Sequence, residues 1–192
     1  RSLAPWIRAG LCRVWMCDPK QVELALGQGL AYRYAASDDE CAALITEYRE
    51  DLEQTQRRLA AEGLRRFTPS VETPVNLLVM DEIGALLAFG DHVRENKKNL
   101  AVIGTQGRAT GHHMWGYVQE PSKDVVPVRD YFTVRVCLRV TAASHVDMVL
   151  GDGARLRGAL ADEIPNTPDT AGIGYVIRQR SRTPLRVRAA YT

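Results

Sequence analysis

The chain has 192 residues, 45% of them hydrophobic and 25% charged, a balance that suits a globular fold with one substantial core, read as a single domain over 1–192. No apolar run approaches the roughly 20 residues needed to span a bilayer, and the first residues lack the pattern of a secretory leader. The expectation is therefore a cytoplasmic protein, or the cytoplasmic piece of a membrane-anchored one. The net charge of +2 and pI near 8.4 exclude a strongly basic nucleic-acid binder, so that only local clusters are left to meet phosphate.

Residues 1–10 read as the end of a helix, with Leu3, Trp6 and Ile7 on one face and Gly10 where a C-cap belongs. Val14-Trp15-Met16-Cys17 is a short buried strand broken by Asp18-Pro19-Lys20. Between 37 and 63, Leu44, Ile45, Tyr48, Leu52 and Leu59 recur at helical spacing, and Ser37 with Glu40 makes a capping box. Arg49, Glu50, Glu53, Arg57 and Arg58 form the solvated face. A polar linker with Pro69 and Pro74 leads into 75–80, a near-continuous apolar run of the kind covered on both faces.

Residues 91–108 fit a helix through Val93, Asn96, Leu100 and Ile103, although 100–104 also suits a strand. Further strands are expected over 112–118, 131–140, 172–176 and 185–189, with a short helix capped by Ser144 running to Leu150. In 131–140, Phe132, Val134, Val136, Leu138 and Val140 alternate with Thr133, Arg135, Cys137 and Arg139. Strands alternating with helices indicate a parallel α/β sheet, and the last two strands an antiparallel hairpin. The four cysteines, Cys12, Cys17, Cys41 and Cys137, form no C-x-x-C pair and read as reduced, mostly buried thiols. His112 and His113 would face opposite sides of a strand, which argues against a shared metal.

The sharpest local feature is the apolar strand running into Asp81-Glu82. A phosphate-loop ATPase needs two carboxylates at one strand end: one to hold magnesium through its water shell, the next to orient or deprotonate the attacking water. Strand ends that merely meet solvent carry the same pattern, so the motif stands beside its context.

That context resembles the motor domain of the FtsK/SpoIIIE double-stranded DNA translocases over nearly the whole chain. Trp15-Met16-Cys17-Asp18-Pro19-Lys20 is similar to the strand and Asp-Pro-Lys turn that follow the phosphate-loop helix there. Val79-Met80-Asp81-Glu82 is similar to the Walker B strand, and Gly107-Arg108-Ala109-Thr110-Gly111-His112 to the helix exit. Residues 118–126 resemble the sensor segment, 135–140 with Asp147 and Gly151 the later strand and helix, and 172–176 the closing hairpin. Residues 186–191 look closest to the plasmid-transfer, TraB-like branch.

The resemblance implies a RecA-like α/β phosphate-loop NTPase core, its mostly parallel sheet flanked by helices and finished by the hairpin. It implies ATP and Mg2+ as cofactors, assembly as a homo-oligomer, a hexameric ring, and double-stranded DNA as partner in chromosome segregation or conjugation. Asp81 and Glu82 become the Walker B pair, with Asp81 the magnesium residue, and Gln119 the sensor of the γ-phosphate. Arg108 becomes a candidate arginine finger, or else a helix-terminal arginine bonding its own last carbonyls. Lys123 and Arg129, in the 121–129 loop, become the DNA contacts; the arginines at 178, 180, 182, 186 and 188 read more simply as a charged strand edge.

Two departures stand out. Val118 and Glu120 flank Gln119 where the family pattern has Thr and Arg, and no G-x-x-x-x-G-K-S/T segment occurs in the sequence. The first strand and phosphate loop are thus expected upstream in a parent protein, this piece alone being inactive and poorly soluble, with two sheet edges bared by the missing strand. Two other readings remain open: a ring ATPase that moves polypeptides in specialised secretion, and a degenerate domain that only mediates assembly.

Overall fold

A computed structural model describes residues 3–122, 124–178 and 181–189. The chain divides into two compact units, Arg1–Glu120 with Asp124–Tyr131, and Pro121–Lys123 with Phe132–Thr192.

The first unit is built on four parallel strands in the order β2-β1-β3-β4: β1 (Cys12–Cys17), β2 (Arg33–Ala35), β3 (Val75–Met80) and β4 (His112–Gly116). Strands β1 and β3 are central and covered on both faces, which is why both read as unbroken apolar runs. One face packs Val14, Met16, Leu77 and Val79 against Leu3 and Ile7, at and beside α1 (Ala4–Arg8), and against Leu24. On the other lie α2 (Asp38–Ala61) and α3 (Val93–Thr110). There Ile45, Leu52, Leu78, Leu86, Leu87, Leu100 and Ile103 are all 1% exposed or less. Each such side chain contributes about 1.5–3 kcal/mol of transfer free energy.

Both long helices start where the sequence puts their signals. The Ser37 hydroxyl accepts from Glu40 N–H at 3.2 Å, but the Glu40 carboxylate returns to Ala36 N–H at 2.8 Å rather than to Ser37, so the capping box closes one residue early. Helix α3 settles the ambiguity over 91–108 and ends at Gly111, whose φ of 74° lies in the left-handed region that glycine enters without steric cost. Strand β2, only three residues long, and a single π-helical turn over Ala85–Phe89 were not anticipated.

The second unit holds an antiparallel sheet, β5 (Val134–Leu138), β6 (Ile173–Arg178) and β7 (Leu185–Arg188), in chain order. The expected hairpin is its β6-β7 half. Helix α4 (Ala143–Leu150) covers one face through Val146 and Leu150, which pack with Cys137, Ala154, Ala159, Ala161 and Ile164. Its N-cap is Ala142, without a side-chain bond; Ser144 lies inside the first turn and does not cap it. The alternation in β5 also resolves in an unobvious sense. Cys137 faces the core, 2% exposed, whereas Val134, Val136 and Leu138 are each more than 50% exposed. All four cysteines are free and buried.

Candidate active site

Parallel pairing gathers the carboxyl ends of the first unit's strands on one edge. Asp81 and Glu82 leave β3 there, and the Asp81 N–H donates to the Cys17 carbonyl at 2.9 Å, which ties the pair to the end of β1. Tyr117 brackets them from the other side: its N–H donates to the Met80 carbonyl at 3.0 Å and its carbonyl accepts from Ile83 N–H at 2.9 Å. Gln119 follows two residues along this strap and is exposed. A Cβ on Gly84 would lie 2.6 Å from Val125 Cγ1 and 3.9 Å from Val118 Cγ2, so a side chain there would push Val125 away from the strand end.

The turn after β1 completes the edge. Asp18 is fully buried, and its carboxylate accepts from Val22 N–H at 3.3 Å, Leu24 N–H at 3.1 Å and the Tyr34 hydroxyl at 3.2 Å. The turn so anchored presents Lys20, whose Nζ stands 3.4 Å from Glu82 Oε2. Among the described residues, two that are not glycine have left-handed backbones, Gln21 with φ 56° and Glu82 with φ 46°. Both belong to this edge. Such conformations cost of order 1–3 kcal/mol and persist where the surroundings over-determine them.

Burial pushes the Asp81 carboxyl above its usual range, and the negative charges of Asp18, Glu82 and Glu23 push the same way against a hydrogen bond from the Glu82 backbone. A carboxylate so placed has a standing affinity for a cation, and hard oxygen donors suit magnesium. Among the described residues no group of three or more His, Cys, Asp or Glu is arranged to hold a metal directly. Asp81 and Glu82 thus offer oxygen donors to a cation without enclosing it.

The remaining candidates lie elsewhere. Arg108 is exposed in the last turn of α3, four residues before His112, which pairs with Asn76 at the amino end of β3. Asp81 is five strand residues beyond Asn76, so the two sit at opposite edges of the sheet, roughly 16 Å apart along the strands. Partial desolvation, the His112 charge and the Arg108 charge together lower the pKa of His113 at the start of β4. Arg129 is half-buried in a 3-10 turn over Arg129–Tyr131, and the Tyr131 ring packs where a Gly104 side chain would stand on α3. Lys123 and Arg180 lie outside the described residues. Asp18 and Lys20, which organise the site, were read as motif residues without a role; Asp-Pro directly after an apolar strand was the available signal.

No family model matches the chain, and no curated protein does. Solved structures do. The conjugation coupling protein TcpA of pCW3, in monomer form with ATPγS, superposes with a TM-score of 0.74 at 17% identity over 94% of this chain and 52% of its own. The cytoplasmic domain of the type VII secretion ATPase EccC from Thermomonospora curvata gives 0.73 at 20% identity over 95% of this chain and 22% of its own. The fold is RecA-like, a mostly parallel sheet flanked by helices. EssC (ATPases 2 and 3) from Geobacillus thermodenitrificans agrees, with a TM-score of 0.60 at 14% identity over 88% of this chain and 32% of its own. These neighbours share the fold that the resemblance to FtsK/SpoIIIE motors implies, and residues 1–192 span about half of the TcpA chain and about a fifth of the EccC chain.

Proposed function

We propose that residues 1–192 form the water-activating part of an ATP-driven ring motor that moves double-stranded DNA. The observation that carries this reading is the placement of Asp81 and Glu82 at the carboxyl end of a buried parallel strand, clamped on one side by Cys17 and on the other by Tyr117. Glu82 would accept the proton of the attacking water, Asp81 would hold magnesium through its water shell, and Gln119 would meet the terminal phosphate. When bound, magnesium neutralises charge on the β- and γ-phosphates. An acidic edge repels a bare triphosphate, and the chain contains no G-x-x-x-x-G-K-S/T segment, so the phosphates are cradled by polypeptide outside these residues. Arg108, at the far edge from its own Asp81, serves a neighbouring subunit's nucleotide, which makes the working form a homo-oligomer, a hexamer in this reading. Lys123 and Arg129 meet the DNA backbone.

A second reading keeps the chemistry and changes the cargo to polypeptide. It is favoured by a further neighbour, Thermomonospora curvata EccC (ATPases 2 and 3) in complex with a signal sequence peptide, with a TM-score of 0.57 at 15% identity.

Both readings are tested in a polypeptide that carries these residues together with a phosphate-binding loop. Glu82→Gln should lower steady-state ATP hydrolysis by about 100-fold, the usual size of a general-base effect. An undiminished rate refutes the assignment. Titration of a fluorescent duplex across a salt series then separates the cargoes: phosphate contacts give a steep salt slope, and binding of a peptide but no duplex selects the second reading.

A further inference from the structure

The residue assigned to activate water is already engaged. Glu82 is only 15% exposed at its side chain, and its Oε2 lies 3.4 Å from Lys20 Nζ. A carboxylate oxygen directed to an ammonium group is not free to turn toward a water molecule, so the contact fixes where the Glu82 side chain points. Both members of the pair are fixed from behind. Glu82 is held in its left-handed conformation by the Asp81, Ile83 and Ala85 N–H bonds around it, the last of these donated to its own carbonyl at 2.8 Å. Lys20 rides on the Asp18 turn, where Gln21, the other left-handed residue, donates its side-chain amide to the Ala36 carbonyl at 3.0 Å and its backbone N–H to the Asp18 carbonyl at 3.0 Å. The two strained residues thus brace the two ends of one ion pair, spanning 62 positions of sequence.

We propose that Lys20 is a latch on Glu82, which holds the water-activating carboxylate in a resting position until nucleotide and cargo draw it away. The inference rests on the reading of Glu82 as the water-activating residue and adds its regulation. The surroundings suit a releasable contact rather than a permanent one. Lys20 keeps half of its side chain in solvent, 51% exposed, so it can swing out at little cost once a competing charge arrives. Asp81 and Glu23 add negative charge at the same edge, which gives the freed ammonium other places to go.

Three variants in a polypeptide that carries residues 1–192 with a phosphate-binding loop decide the matter. Lys20→Met should raise ATP hydrolysis in the absence of cargo by about two- to five-fold, the fold-change equivalent of a partly exposed ion pair, and should shrink the ratio of cargo-stimulated to basal rate accordingly. Lys20→Arg keeps the charge and should restore the low basal rate. Glu82→Gln is the control for the underlying reading. If Glu82→Gln is inactive and Lys20→Met leaves the basal rate unchanged or lower, the latch is wrong and the assignment of Glu82 stands; if Glu82→Gln retains full activity, the assignment itself is wrong. A readout that needs no turnover accompanies these. In the same polypeptide without nucleotide, the 13C resonance of the Glu82 carboxyl carbon should move in Lys20→Met and return in Lys20→Arg, and an unmoved resonance overturns the ion pair on which the latch depends.

Discussion

The two edges of the parallel sheet use polar residues in opposite ways. At the amino edge, charges and dipoles are buried in matched sets. His112, 0% exposed at its side chain, bonds Asp51 Oδ2 through Nε2 at 2.9 Å and sits 3.0 Å from the Thr110 carbonyl through Nδ1. Asn76 donates to the same Asp51 oxygen at 3.3 Å and accepts from the Trp15 indole at 3.0 Å. The buried Tyr48 hydroxyl lies 2.9 Å from the carbonyls of Asn76 and His113 and accepts from His113 N–H at 3.1 Å. At the carboxyl edge Asp18 is buried and bonded, but Asp81, Glu82 and Glu23 gather an excess of negative charge with Lys20 set against it, and Gln21 and Glu82 stand on strained backbone. The amino edge spends its polar groups on holding three strands and α2 in register. The carboxyl edge keeps its polar groups unbalanced, which only a ligand of opposite charge would reward.

The sharpest way to break this contrast is to disable the amino edge. His112→Ala leaves Asp51 and Thr110 without their buried partner and should cost about 3 kcal/mol, read as a fall in the urea midpoint; a loss below 0.5 kcal/mol would mean that the network is decoration. At the carboxyl edge, Glu82→Gln should remove about two orders of magnitude of hydrolysis while leaving that midpoint almost where it was, so a variant that loses both has been misassigned. Tyr48→Phe, which deletes one hydroxyl from the matched set, should cost about 1 kcal/mol in the same unfolding measurement.

The smallest effect runs in the other direction. With its folded pKa raised, Asp81 adds stability only below the usual carboxylate range and loses that contribution as pH rises through the raised value. At neutral pH its ionised form is therefore a net cost, and Asp81→Asn should melt slightly higher than the unsubstituted chain without divalent cation. The gain should shrink toward pH 4. A lower melting temperature for Asp81→Asn at neutral pH would show that the carboxylate is supported rather than strained.

Much of the parallel unit was legible because its strands are covered on both faces. Such strands need no alternation to be recognised; Val75 to Met80 and Val14 to Cys17 declare themselves by composition alone. Alternation told less. In β5 it marked a strand correctly, but a period of two says that the faces differ and not which of them meets the core, and here the small Cys137 points inward. Strand β2 escaped because three residues, two of them polar or amphipathic at an edge, carry no periodic signal. Asp81 and Glu82 could be read from their place at a strand end. The contact of Lys20 with Glu82 could not, since it is made by tertiary closure between β1 and β3, nor could the positive φ at Glu82, which is imposed by the bonds of Cys17 and Tyr117 on either side.

Trp15 gives the molecule a built-in gauge. It is 1% exposed and packed edge-on against Tyr32 and Tyr48, whereas Trp6 and Trp115 are 57% and 45% exposed. Its indole emits from a dry, hydrogen-bonded setting and the other two from water, so a quencher dissolved in the buffer dims them and spares it. The unquenched, blue-shifted light then reports on the packing of the sheet around Trp15.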